Sequence, residues 1–114
     1  MLTKEQATQI FLKSGALLNG HFTLTSGRHS NQYMQCAQVL KYPNYTEQLA
    51  GHIAEYFAKD NIELVVGPAM GGIIVAYEVA RQLKVPGIFT ERQDSTMTLR
   101  RNFEIKPNTR VLVV

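Results

Sequence analysis

The chain has one cysteine, Cys36, and no tryptophan among its 114 residues. A single thiol excludes an internal disulfide and any cysteine-based metal cluster, and a reducing cytoplasm is the compartment expected of such a chain. No apolar run approaches the ~20 residues of a membrane span, so no membrane partner is expected. The N-terminus, Met1 to Gln6, lacks the basic and then apolar segments of a secretory signal. Charged residues make up 18% and leave a net charge of +3. So small and scattered an excess suits a phosphorylated ligand better than nucleic acid, which is not expected as a partner. Repeats and low-complexity segments are absent too, and no linker divides the chain, which size priors make one domain.

What is present is an ordinary globular composition, 45% hydrophobic, arranged as helices alternating with short apolar strands. Thr3 and Gln6 form a capping-box pattern, and Ala7, Ile10, Phe11, Leu17 and Leu18 follow at near-helical spacing; Gly15 and Asn19-Gly20 then turn the chain. Asn44 and Glu47, after Pro43, suggest a second capping box opening a helix with Leu49, Ala50, Ile53, Ala54 and Phe57 inward. Leu64-Val65-Val66 reads as a buried strand broken by Gly67-Pro68. A helix is predicted from about Gly72 to Leu83, with Ile73, Ala76, Tyr77, Ala80 and Leu83 inward, then a short strand from Gly87 to Thr90. Val111 to Val114 read as a strand buried on both faces, as at the centre of a parallel sheet. In a doubly wound fold a ligand loop follows such a strand, so part of a site is expected to lie beyond this chain. The pattern predicts an α/β fold with a parallel sheet.

Three segments carry candidate chemistry. In Val65–Ile73 a buried strand runs through Gly71 and Gly72 into a helix start, where free N–H groups suit a phosphate or pyrophosphate. A glycine-rich turn that binds nothing is an equally open reading, since two glycines fall short of a full phosphate-loop motif. Thr25-Ser26-Gly27-Arg28-His29-Ser30 offers hydroxyls, a guanidinium and an imidazole to an anion; residue types alone favour a solvated turn. His21 and His52 show no metal-ligand spacing and read as surface or satisfied histidines. Glu91 to Arg101, returning through Leu99, Phe103 and Ile105, suggests a long hairpin with a mobile tip. Its Arg92, Arg100 and Arg101 could clamp phosphate oxygens, or the hairpin is merely solvated.

Four stretches together resemble the orotate phosphoribosyltransferases: Phe22 to Ser30, Tyr42-Pro43, Val66 to Gly72, and Thr98 to Phe103. The resemblance runs over essentially the whole chain and implies a type I phosphoribosyltransferase fold, a Rossmann-like parallel sheet with an N-terminal hood. It implies a hood-forming segment over 1–43 and the first part of the α/β core over 44–114. Its implied activity is transfer of phosphoribosyl from phosphoribosyl pyrophosphate to orotate, with Mg2+ on the pyrophosphate and a homodimer sharing its active site. By the same resemblance Thr25, Ser26, Gly27, Arg28, Tyr33 and Met34 line the orotate pocket. Ala69, Met70, Gly71 and Gly72 form the pyrophosphate loop, and Arg92 contacts phosphoribosyl pyrophosphate.

Several positions depart from the family pattern. Many members have lysine where this chain has Thr25 and Gly71, and their catalytic loop carries lysine and histidine where this chain has Gln93 to Met97. Arg100 and Arg101 are therefore expected to supply the catalytic charge. The family's most diagnostic motif, two acidic residues and a Thr-Thr-Gly-Gly loop, would begin after Val114, so the chain is expected to be a truncated and inactive part. Two alternatives stand beside this reading: transfer to another nucleobase, or a non-catalytic regulator that senses phosphoribosyl pyrophosphate.

Overall fold

The computed structural model describes all residues, Met1–Val114. The elements in chain order are α1 (Lys4–Lys13), β1 (Leu17–Thr23), β2 (His29–Met34), α2 (Cys36–Leu40), α3 (Pro43–Tyr56), β3 (Leu64–Pro68), α4 (Ile73–Leu83), β4 (Gly87–Gln93), β5 (Thr96–Leu99) and β6 (Val111–Val113). No helix is long and apolar enough to cross a membrane.

The predicted capping box of α1 is present: the Gln6 N–H donates to the Thr3 hydroxyl, and the Thr3 N–H donates to the Gln6 side chain. The helix ends earlier than its apolar spacing suggested. Gly15 takes a left-handed φ of 78°, its N–H bonds to the Leu12 carbonyl, and the Ala16 N–H bonds to the Phe11 carbonyl. That pair of bonds satisfies the last carbonyls and stops the helix. Leu17 and Leu18 therefore lie on β1, and Asn19-Gly20 opens a bulge within the strand, between Asn19 and Phe22, instead of a turn. The second capping box does not form. Pro43 occupies the first turn of α3 and the cap falls on Tyr42, with no side-chain bond, because proline's fixed φ favours the first helical position.

β1 and β2 pair as an antiparallel hairpin separate from the main sheet, whose order is β5-β4-β3-β6. β4 and β6 both run parallel to β3, and β5 pairs antiparallel with β4. Val65 and Leu112 are register partners on one face and form a core with Ala50 of α3 and Ala76, Val79 and Ala80 of α4. Val79 is fully buried. Val79→Ala should therefore lower unfolding free energy by roughly 2 kcal/mol in denaturant titration, two methyls' burial plus a residual cavity. A second cluster, Ile10, Ala16 and Val39, ties α1 and α2 to Tyr45 and Leu49 of α3.

β6 pairs with β3 and buries Leu112. Two further expectations need correction. Tyr77 is 69% exposed, because α4 turns Val79, with Ala76 and Ala80, onto the sheet. The hairpin expected to be long turns tightly at its tip, where Asp94 and Ser95, at φ 51° and 70°, lie between the register partners Gln93 and Thr96. Two consecutive positive-φ residues match the twist of the flanking strands.

Candidate active site

The sheet places one position apart from the rest. The chain leaves β3 for β4 on one side, and β6 then pairs with β3 on the other. A ligand crevice is expected at such a reversal, outside the carboxyl end of the strand. The turn Ala69–Gly72 stands there.

Sterics force its glycines. A Cβ on Gly67 would collide with the Gly72 carbonyl oxygen and come within 2.8 Å of the Ala76 Cβ; one on Gly72 would stand 2.5 Å from the Pro68 ring. α4 thus starts directly over the end of β3. Gly71 is different, with nothing within 4 Å of a Cβ placed there. The turn is tied down by the Ala69 N–H on the Thr90 carbonyl (2.7 Å) and the Gly72 N–H on the Pro68 carbonyl (2.8 Å). The Ala69–Met70 peptide is cis. The Met70 and Gly71 N–H groups bond to no backbone carbonyl, and both residues are exposed. Two unspent donors beside a helix start make a concavity suited to an anion.

The Thr25–Gly27 loop is built by the hairpin that carries it. The Leu24 N–H donates to the Arg28 carbonyl (2.7 Å), the Gly27 N–H donates to the Leu24 carbonyl (2.8 Å), and Gly27 has a φ of 86°. This is a three-residue hairpin loop closed by a left-handed glycine. Thr25 and Ser26 line an open cavity of about 770 Å³ with Phe22, Leu24 and Tyr33; Phe22 and Tyr33 stack at 5.8 Å between ring centroids. Arg28 and Met34 are exposed and outside that cavity.

The turn at Ala69–Gly72 borders another cavity, of about 830 Å³, walled also by Phe11, Cys36, Leu49, His52, Ile53 and Val75. The chain therefore brings Ala69, Gly71 and Gly72 together in one place and Thr25, Ser26 and Tyr33 in a second. Cys36, immediately after the hairpin, reaches the first of these.

The arginines of the β4–β5 hairpin separate into distinct roles. Arg92 donates to the Ser95 carbonyl across its own turn (3.4 Å). Arg101 pairs with Glu91 at 2.7 Å and lies 5.7 Å over the Phe89 ring, which in turn meets Phe103 edge-on. Arg100 is exposed and makes no side-chain hydrogen bond or ion pair, so its guanidinium is free. Glu91 was not singled out from sequence: ten positions separate it from Arg101, and no local spacing marks the pair.

The hydrogen bond from Arg101 holds the Glu91 carboxyl below the ordinary carboxylate value, against desolvation and with added attraction from Arg101 and Arg100. A depressed carboxyl stabilises at pH above its unfolded value and loses that contribution as pH falls through its folded value. The Glu91 midpoint followed by NMR should accordingly lie below 4.5 and return toward it in Arg101→Ala; an unmoved midpoint would show that the pair does not persist.

Comparison with known proteins shows what the chain is similar to. Over 113 residues the chain is 59% identical to the orotate phosphoribosyltransferase of Pelotomaculum thermopropionicum, covering 99% of this chain and 60% of that protein. It is 56% identical over 114 residues to the corresponding enzyme of Heliobacterium modesticaldum, covering 98% of the chain and 60% of the relative. The chain matches an N-terminal part of orotate phosphoribosyltransferases. It spans about three-fifths of the length of these relatives. No protein-family model matches it.

Solved structures agree on the fold, which is the type I phosphoribosyltransferase fold. The orotate phosphoribosyltransferase of Aeropyrum pernix superposes with a TM-score of 0.76 at 25% identity, over 92% of this chain and 61% of that one. Leishmania donovani UMP synthase gives 0.79 at 21% identity, over 94% and 23% respectively.

Proposed function

We propose that the protein to which this chain belongs transfers the 5-phosphoribosyl group of phosphoribosyl pyrophosphate to orotate, giving orotidine 5′-phosphate and pyrophosphate. The observation that carries this reading is the 59% identity to an orotate phosphoribosyltransferase along 99% of the chain, with an anion-suited turn at the sheet's reversal point. A ring nitrogen of orotate gives up its proton, to water or to the departing pyrophosphate, and forms the new bond to C1′ as the bond from C1′ to the pyrophosphate oxygen breaks. Charge builds on the departing pyrophosphate, and backbone N–H groups and guanidinium ions are the tools that stabilise it.

In this reading the unspent Met70 and Gly71 N–H groups take pyrophosphate oxygens, and Ala69 and Gly72 set the turn that aims them. Arg92 assists phosphoribosyl pyrophosphate from the next hairpin, where Arg100 supplies the catalytic charge and Arg101, held by Glu91, positions it. Thr25, Ser26, Gly27 and Arg28 offer hydrogen bonds to the orotate carboxylate and carbonyls, while Tyr33 and Met34 supply apolar surface to its ring. No group of three or more metal-ligating side chains is present, and the turn carries no carboxylate. That donor set suits magnesium held by pyrophosphate oxygens and water, since the ion keeps a shell of phosphate and water ligands. Magnesium bound in this way would neutralise part of the leaving group's charge.

A cytoplasmic homodimer completes the proposal. Met70, Ile74 and Tyr77 form an exposed apolar stripe (83%, 52% and 69% exposed) running from the turn along α4, the kind of surface a second subunit covers. The hairpin bearing Arg100 would then serve the neighbouring subunit's site.

Amide chemical shifts of the complete gene product test the assignment. Orotate should move Thr25, Ser26 and Tyr33, and magnesium pyrophosphate should move Met70 and Gly71. Orotate shifts confined to other segments would refute the hood's role.

A further inference from the structure

The hood hairpin carries a pair of side chains that the proposed transfer does not use. Thr23 is the register partner of His29, and His21, two residues earlier, stands diagonally across from it. The Nε2 of His21 and the Nδ1 of His29 approach to 2.9 Å, with ring centroids 4.9 Å apart and the rings tilted by 40°. Both residues are exposed, so neither ring is fixed by core packing and a solvent ion can reach both.

Two nitrogens bound to one ion at about 2.0–2.1 Å stand roughly 2.9–3.4 Å apart, depending on coordination angle. The observed separation lies within that span. We propose that His21 and His29 form a two-imidazole site for a borderline-soft divalent cation, Zn2+, Ni2+ or Cu2+, with water completing the coordination. Binding needs a lone pair from each ring. The hydrogen now bridging the two nitrogens must therefore move to the outer nitrogen of its own ring, leaving Nε2 of His21 and Nδ1 of His29 as ligands. With both rings neutral no proton is released as the ion enters. Imidazole selects Cu2+, Ni2+ and Zn2+ over Mg2+, which separates this site from the magnesium of the proposed reaction. An ion here would join β1 to β2 close to the Thr25–Gly27 loop.

Titration of the complete gene product with Zn2+, Ni2+ and Cu2+, in millimolar Mg2+ at pH 7.5, tests this. NMR should show the His21 and His29 ring signals shifting or broadening first, and metal should raise the unfolding temperature by mass action. His21→Gln and His29→Gln should each lower the affinity of that site roughly tenfold or more, with Cu2+ binding tightest of the three. Unchanged stoichiometry and affinity in both variants would overturn the proposal. So would ring signals that stay put in the unsubstituted protein while metal binds elsewhere, a result that does not depend on any variant folding.

Discussion

Gly67→Ala should destabilise the protein by about 3 kcal/mol or more, whereas Gly71→Ala should change stability by no more than about 0.5 kcal/mol. The two glycines stand four residues apart at the same turn, and sequence alone gives them equal standing. Their surroundings differ. Gly67 is buried on the face of β3 over which α4 begins, and its missing Cβ is what lets the Gly72 carbonyl and Ala76 approach. An added methyl meets backbone there, which cannot rotate aside, so α4 must lift from the strand and the Ala69–Gly72 turn must deform with it. A Cβ at Gly71 projects into open space. Urea denaturation of both variants checks this; equal midpoints would show that close approach at Gly67 does not hold the turn.

Arg100→Ala should reduce turnover by the complete gene product about 10²–10³-fold while changing the orotate KM far less, the pattern for a donor whose contribution appears in the transition state. Arg100 is chosen over Arg101 on geometry. Its guanidinium is free, whereas Arg101 is engaged by Glu91 at 2.7 Å and lies over Phe89. Arg101→Ala and Glu91→Gln should therefore resemble one another, each loosening the hairpin that presents Arg100. Steady-state kinetics on the three variants, with His29→Ala beside them, makes the comparison. A loss in His29→Ala that matches or exceeds that of Arg100→Ala would reassign the role to the imidazole.

Where one short-range rule governed a segment, its structure could be read from the residues. Thr3 and Gln6 start α1 as their spacing dictates, and α4 occupies almost its expected span because a glycine turn and a continuous apolar stripe mark it. Where two rules competed, the stronger was not visible in advance. Leu17 and Leu18 keep helical spacing after Lys13, yet the left-handed Gly15 ends α1 and hands both to a strand. Asn44 and Glu47 have capping-box spacing, but Pro43 claims the first turn and shifts the cap. α2 has five residues and lacks a side-chain cap, so no periodicity could announce it. Tyr77 depended on which face of α4 met the sheet, a tertiary choice.

The candidate site divides in the same way. Each segment was legible by itself, the glycine turn by its residue types and the hood by its resemblance to a known family. The separation of Thr25 and Ser26 from Gly71 into different cavities, and the capture of Arg101 by Glu91, depend on contacts between residues distant in sequence. No local pattern encodes those.

The central claim, that this chain forms part of an enzyme acting on orotate, is tested most directly by assaying the complete gene product with phosphoribosyl pyrophosphate and magnesium. Orotate, adenine, hypoxanthine and uracil should be offered separately, and nucleotide and pyrophosphate measured in each case. The account predicts orotidine 5′-phosphate and stoichiometric pyrophosphate with orotate, and no nucleotide from the purines or uracil. Absence of product with orotate from the folded protein, or preferential consumption of another base, would contradict it.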